Sequence, residues 1–273
     1  MSSKGTVNVP AMMLAAGRGE RMRPLTDATP KPLLQVHGKP LLQWQLEAMA
    51  HSGVTRAVIN TAWLGEQISN AFGAEFGSRP AKNGDFQLSN SEHPARPITI
   101  TYSHEGLDFG GALETAGGIV RALPDLCSGQ DGLFWVLAGD VFVPEFAFSR
   151  AAVARFRASG KLAHIWLVPN PEHNLKGDFG LSPQGLALNS AETRFTYSTI
   201  GLYRSALFAP PFCSIPPGNP HGTKAPLAPL LRSAMDRGLV SAELYEGAWT
   251  DVGTPERLQW LNRTTLPATL CQN

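Results

Sequence analysis

The chain is short of cysteine, of unbalanced charge and of long apolar stretches, and each shortage closes off a class of protein. Its 273 residues hold three cysteines, Cys127, Cys213 and Cys271. An odd number at such wide spacing is neither a disulfide framework nor a metal-ligand pattern, and it fits a reducing compartment, so a cytoplasmic location is expected. Lys and Arg number 23 against 22 Asp and Glu, a formal net charge of +1. No global field therefore draws the chain to nucleic acid, and any affinity for anions must come from local clustering. The opening, MSSKGTVNVPAMMLAAG, has an apolar run too short for a signal peptide or a span, and no later stretch is long enough to cross a bilayer. Neither nucleic acid nor membrane is expected as a partner.

Familiar motifs are missing too. There is no G-x-x-x-x-G-K-[ST] loop, and the dinucleotide fingerprint G-x-G-x-x-G fails because Met22 stands where its third glycine belongs. His37, His51, His93 and His104 have no metal spacing and no serine in a nucleophile elbow beside them.

What is present is a regular alternation of apolar runs and helical patterns, the mark of an α/β chain with a mainly parallel sheet. Residues 11–16 (AMMLAA), 56–60 (RAVIN), 98–103 (ITITYS), 133–138 (LFWVLA) and 162–168 (LAHIWLV) read as strands. So do 194–203 and 240–245. The run at 133–138 is apolar throughout, as a central buried strand requires. Helical patterns occupy 41–52, ended by Gly53, then about 147–158, 227–237 and the stretch after Pro255. Trp135 and Trp166 fall inside apolar runs and read as core. Residues 73–97 are polar and aperiodic, an exposed loop. Six prolines between 209 and 226 mark an irregular connection. One domain of residues 1–273 is expected, with no internal repeat.

The most informative segment is Leu14-Ala-Ala-Gly-Arg-Gly-Glu-Arg-Met-Arg-Pro-Leu-Thr26. A buried strand runs into a turn whose small residues, Ala15, Ala16, Gly17 and Gly19, let a ligand lie on the backbone, where N–H groups can cradle phosphate oxygens. Arg18, Arg21, Arg23 and Lys31 face only Glu20 and Asp27 between Gly17 and Pro32, the local cation excess that a triphosphate needs. Lys31 sits between two prolines that stiffen the chain around it. Asp140 follows the 133–138 run at its carboxyl end, where open α/β sheets bind ligands. Asp251 lies in a turn leading to the last helix. Each aspartate also fits a capping role. Together they suit magnesium, which takes one or two carboxylates plus phosphate oxygens.

LAAGRGERMRPLT followed by PKPL resembles the signature of sugar-phosphate nucleotidyltransferases. The resemblance implies a Rossmann-like, mixed and mainly parallel sheet flanked by helices, the GT-A-like nucleotide-diphospho-sugar transferase fold. It implies a nucleotide-binding part at about 9–145 and a sugar-binding part at about 146–265. It assigns Arg18 to the β and γ phosphates, Lys31 to the α-phosphate, and Asp140 and Asp251 to Mg2+. Leu14, Ala15, Ala16, Gly17 and Gly19 would bind the nucleotide. The turn Leu113-Glu-Thr-Ala-Gly-Gly118 would read the base through Glu114, Thr115 and Gly117. Asn60, Gly139, Asn170, Asp178, Ser198 and Thr199 become sugar-side candidates; Asn60 equally suits a turn-forming role. The basic residue for the sugar phosphate stays open between Lys176 and Lys224.

Further segments, VINTAWLGEQI, LETAGGI, LVPNPEHNLKGDFGL, KAPLAPLLR and WTDVGTPERL, resemble the bacterial branch that joins UTP to N-acetylmuramic acid 1-phosphate in cell-wall recycling. Ala116, where that branch more often has glycine, and the long 73–97 segment depart from it. Glucose, mannose or N-acetylglucosamine 1-phosphate are alternative substrates, and a non-catalytic nucleotide-sugar sensor is the alternative of another class. With no hexapeptide repeats to build a trimerising β-helix, a monomer or small homo-oligomer is expected.

Overall fold

The computed structural model describes residues 9–77, 97–127 and 132–266. Their largest sheet has eight strands, in the order Val240–Leu244, Ala163–Val168, Thr196–Arg204, Leu133–Ala138, Ala11–Ala15, Arg56–Thr61, Ile98–His104 and Glu75–Phe76. The Ala11–Ala15, Arg56–Thr61, Ile98–His104 and Leu133–Ala138 strands run parallel to their neighbours in this group. Thr196–Arg204 is antiparallel to the strands on both its sides, and Glu75–Phe76 is antiparallel to Ile98–His104. The sheet is therefore mixed and mainly parallel, as expected. The expected loop at 73–97 is corrected at its start, which contributes an edge strand; residues 78–96 lie outside the described residues, as does Cys271.

Both faces of the central strands are buried, which is why they read as unbroken apolar runs. Ala11, Met13, Trp135 and Leu137 point to one face, where Leu42, Leu46 and Met49 of the helix Leu41–Ser52 cover them. Met12, Phe134 and Val136 point to the other, covered by Ile119, Val120 and Leu123 of the helix Glu114–Leu126. Met12, Met13, Phe134 and Leu137 are all fully buried, and each side chain of this kind contributes roughly 1.5–3 kcal/mol. The helix Leu41–Ser52 lacks a β-branched run and stops at Gly53, whose φ of 82° suits glycine. The helix expected from about 147 begins instead at Arg150, because the Ser149 side chain caps it by accepting from Ala152 N.

A third apolar cluster positions the functional loops. It joins Met22, Val36, Leu41, Trp44, Phe142, Val252, Leu258 and Leu261. Met22, the residue that spoils the dinucleotide fingerprint, is fully buried there and anchors the glycine-rich turn. Phe142 and Val252 flank the two aspartates, so one packing unit holds all three segments.

Candidate active site

A cavity of about 580 Å3 opens at the carboxyl ends of the parallel strands, where such sheets bind ligands. One wall is the glycine-rich turn, Leu14 to Gly17, with Lys31 and Pro32. Gly17 is exposed, and a Cβ there would meet nothing within 4 Å. Another wall is Ala112, Glu114 and Thr115 at the start of the helix Glu114–Leu126. Glu114 has φ 59°, a left-handed conformation that a side-chain-bearing residue rarely adopts. The floor holds Asn60, Glu105, Val136, Ala138 and Asp140, and Phe179, Tyr197, Thr199 and Leu231 close the far side.

Lys31 lies at 9% exposure beside the cavity, and its ammonium pairs with the Asp140 carboxylate. Asp140 precedes a short strand, Val141–Phe142, that pairs antiparallel with Thr250–Asp251, placing Asp251 opposite Val141. Val252 N donates to Asp140 O at 2.9 Å. The backbone thus sets the two aspartates at neighbouring positions although 111 residues separate them in the chain. Asp251 is held by Arg257 Nη1 at 2.5 Å and His173 Nε2 at 3.0 Å. Arg18 lies against the ring of Trp63, 3.8 Å from its centre, and donates to Thr26 O and Asp27 Oδ1. The Arg18 hydrogen bond, with the charge of Arg23, holds the exposed Asp27 carboxyl below its ordinary value.

The family model for Nucleotidyl transferase matches residues 10–185. The chain belongs to the nucleotidyl transferase family. It is similar to the N-acetylmuramate alpha-1-phosphate uridylyltransferase of Neisseria meningitidis serogroup B, with 43% identity over 91% of this chain and 95% of that one. Similarity to the Caulobacter vibrioides protein of the same name is 28% over 90% and 92% of the two chains. In fold it resembles the crystal structure of a putative glucose-1-phosphate thymidylyltransferase from Bacillus anthracis, with a TM-score of 0.69, 19% identity, and 96% of this chain and 99% of that one covered.

Among the residues singled out from the sequence, this nucleotidyl transferase brings Leu14, Ala15, Ala16, Gly17, Lys31, Asn60, Glu114, Thr115, Asp140 and Thr199 to one cavity. Arg18, Gly19 and Asp251 do not line it. Gly19 has φ 68° and turns the chain toward Thr26 and Lys31.

Several of the residues singled out from the sequence lie off the cavity wall. Gly117 does not face the cavity; its N–H donates to Ala225 O, and a Cβ there would stand 2.5 Å from Thr223 O. Gly139 is buried against Leu14 O and Leu42. Ser198 is fully buried and donates to Trp166 O at 2.7 Å. Asn170 ties Arg194 O to the Thr196 hydroxyl, and the Asp178 carboxylate accepts from Tyr197 N. Ser198, Asn170 and Asp178 staple loops together, and like the two glycines they do not line the cavity. Lys176 and Lys224 are both exposed, and neither lines it.

Thr199 behaves differently from its neighbour Ser198. The pairing of Thr196–Arg204 with Ala163–Val168 is irregular between Tyr197 and Gly201, and Thr199 there has φ 66°. Its hydroxyl is buried with no hydrogen-bond partner among the described residues. Such an arrangement in a β-branched residue costs on the order of 1–3 kcal/mol, and it turns the side chain into the cavity.

Sequence reasoning missed Glu105. It is fully buried on the cavity floor, and its carboxylate accepts from Asn60 Nδ2 and Leu113 N, each at 2.7 Å. Burial pushes its pKa up, opposed by those two hydrogen bonds and by the charge of Arg121. The available signal was positional: Glu105 follows a strand's carboxyl end, as Asp140 nearly does. Trp63 was missed as well; it stacks on Arg18, and its Nε1 donates to Thr26 O at 2.9 Å.

Proposed function

We propose that this nucleotidyl transferase moves a uridylyl group from UTP to N-acetylmuramic acid 1-phosphate, giving UDP-N-acetylmuramic acid and pyrophosphate, a step of peptidoglycan recycling. The observation that carries the proposal is the 43% identity to the Neisseria enzyme over nearly the full length of both chains. A match of that extent includes both the glycine-rich turn and the segments that close the far side of the cavity.

The reaction needs no covalent enzyme intermediate. A phosphate oxygen of the sugar 1-phosphate forms a bond to the α-phosphorus of UTP, and the bond from that phosphorus to the β-phosphate bridging oxygen breaks, releasing pyrophosphate. The nucleophile is already an anion, so the protein's task is positioning and charge compensation. Lys31 neutralises the α-phosphate. Arg18 reaches the β and γ phosphates by leaving Asp27, an exposed partner whose ion pair is worth little. Ala15 to Gly17 lie under the triphosphate, and Glu114 with Thr115 meets the uracil. Thr199 lines the sugar side of the cavity.

Asp140 and Asp251 would hold Mg2+. Two hard carboxylates on paired segments of the backbone suit that ion, and when bound it would supply neutralisation of phosphate charge. Residues 9–145 form the nucleotide part and 146–265 the sugar part. Free thiols at Cys127 and Cys213 fit a cytoplasmic setting; no helix among the described residues is long and apolar enough to cross a membrane.

Pyrophosphate release over a matrix of four nucleoside triphosphates and five sugar 1-phosphates tests the proposal. UTP with N-acetylmuramic acid 1-phosphate should give the highest kcat/KM; a higher value for glucose 1-phosphate would overturn the sugar assignment.

A further inference from the structure

The two lips of the nucleotide cavity come from segments about a hundred residues apart, yet one chain of buried hydrogen bonds links them. Ala15 N, at the end of the strand Ala11–Ala15, donates to Asn60 Oδ1 at 2.8 Å. Asn60 Nδ2 donates to Glu105 Oε1 at 2.7 Å, and Leu113 N, next to Glu114, donates to Glu105 Oε2 at 2.7 Å. Asn60 and Glu105 are 3% and 0% exposed. The polarity of the chain is fully determined, since each backbone N–H can only donate. Asn60 must therefore present oxygen to Ala15 and nitrogen to Glu105, and Glu105 must accept at both oxygens, which an amide side chain cannot do.

The surrounding structure makes room for this carboxylate. At Gly118, on the helix that begins at Glu114, a Cβ would stand 2.5 Å from Glu105 Oε1 and 2.9 Å from Asn60 Nδ2. The amide of Asn60 is bonded at both its oxygen and its nitrogen in this chain.

We propose that Glu105 is a positioning residue for the nucleotide: through Asn60 it fixes the glycine-rich turn, through Leu113 it fixes the base-side turn, and it thereby sets the distance between the two. This rests on the reading that a nucleoside triphosphate occupies the cavity. Glu105 touches no reacting atom. Its loss loosens both turns and weakens the hold on UTP, while the site for the sugar phosphate keeps its shape.

The test is a swap of chemistry between the two side chains. Glu105→Gln places an N–H against either Asn60 Nδ2 or Leu113 N, where nothing accepts it. Asn60→Asp places two carboxylates face to face. The double variant, Asn60→Asp with Glu105→Gln, restores every bond. The new amide at position 105 donates to the new carboxylate at position 60, that carboxylate still accepts from Ala15 N, and the net charge is unchanged. Each single variant should raise KM for UTP roughly tenfold or more, with KM for the sugar 1-phosphate unchanged. The double variant should return KM for UTP to within about threefold of wild type.

Amide hydrogen exchange read at Ala15 and Leu113 provides a measure free of catalysis. Both amides should lose protection together in the single variants and regain it in the double. Should a single variant fail to fold, the double decides: a folded double with wild-type KM and protection supports the proposal, and a double without them overturns it. Stable single variants with wild-type KM for UTP and wild-type protection also overturn it. Wild-type protein that releases no pyrophosphate from UTP would instead count against the functional reading, while exchange at the two amides still tests the lock.

Discussion

Glu105 and Asn60 face each other across the floor of the cavity at 2.7 Å, and both lie close against the bare Cα of Gly118. The missing side chain at 118 is a requirement. An alanine there gains about 1 kcal/mol of helix propensity but forces its methyl into the Glu105 carboxylate or displaces it from Asn60. Gly118→Ala should therefore destabilise the fold by roughly 1–3 kcal/mol, seen as a lower urea midpoint with an unchanged m-value. A midpoint at or above wild type would mean that the carboxylate moves aside freely.

Asp140 carries a second prediction. It pairs with Lys31 on the cavity wall and directly precedes the short strand that pairs with Thr250–Asp251. Replacing it by asparagine keeps the shape and removes the charge. Asp140→Asn should lower kcat at least ~100-fold, the usual loss when a catalytic electrostatic group goes. A near wild-type rate removes Asp140 from the proposed metal pair.

A third concerns the metal itself. Activity should vanish on dialysis against a chelator and return with Mg2+, because phosphate charge at the α position then has only Lys31 to offset it. In Asp251→Asn, restoration should need a higher Mg2+ concentration than in wild type. An unchanged Mg2+ dependence in that variant would leave Asp251 with its structural partners Arg257 and His173 alone.

Glu243 gives a pH-dependent prediction away from the cavity. Its carboxyl is held below the ordinary 4.5 mainly by the His164 imidazole 3.6 Å away, with Trp166 Nε1 at 2.6 Å and Arg155 adding to it and burial opposing. A carboxyl lowered on folding stabilises the fold above its unfolded pKa, and that stabilisation fades as pH falls through the folded pKa. Glu243→Gln should therefore lower Tm at pH 7, by an amount worth less than about 1 kcal/mol because the side chain is 41% exposed. The gap to wild type should narrow below pH 4.5. A gap that widens on acidification would contradict the assignment.

The strands were legible in the sequence because burial on two faces demands unbroken apolar runs, and Leu133–Ala138 and Leu41–Ser52 lie where their residues put them. The glycine-rich turn and Lys31 were legible because phosphate chemistry asks for small residues and clustered cations in one short segment. Glu105 was not, since its partners Asn60 and Leu113 are 45 and 8 residues away and only folding joins them. Ser198 and Thr199 are alike in chemistry; the irregular pairing between Tyr197 and Gly201 buries one and turns the other to the cavity. Gly117 and Gly118 differ just as sharply, one packed on the Thr223–Ala225 backbone and the other on Glu105. No single-residue property carries such distinctions.

The most direct test of the whole account is a crystal structure with Mg2+ and a UTP analogue whose α,β-bridging oxygen is replaced by a methylene group. The account predicts the triphosphate over Ala15 to Gly17 with Lys31 on the α-phosphate, the uracil against Glu114 and Thr115, and the ion between Asp140 and Asp251. Nucleotide bound outside this cavity, or an ion that neither aspartate touches, would contradict it.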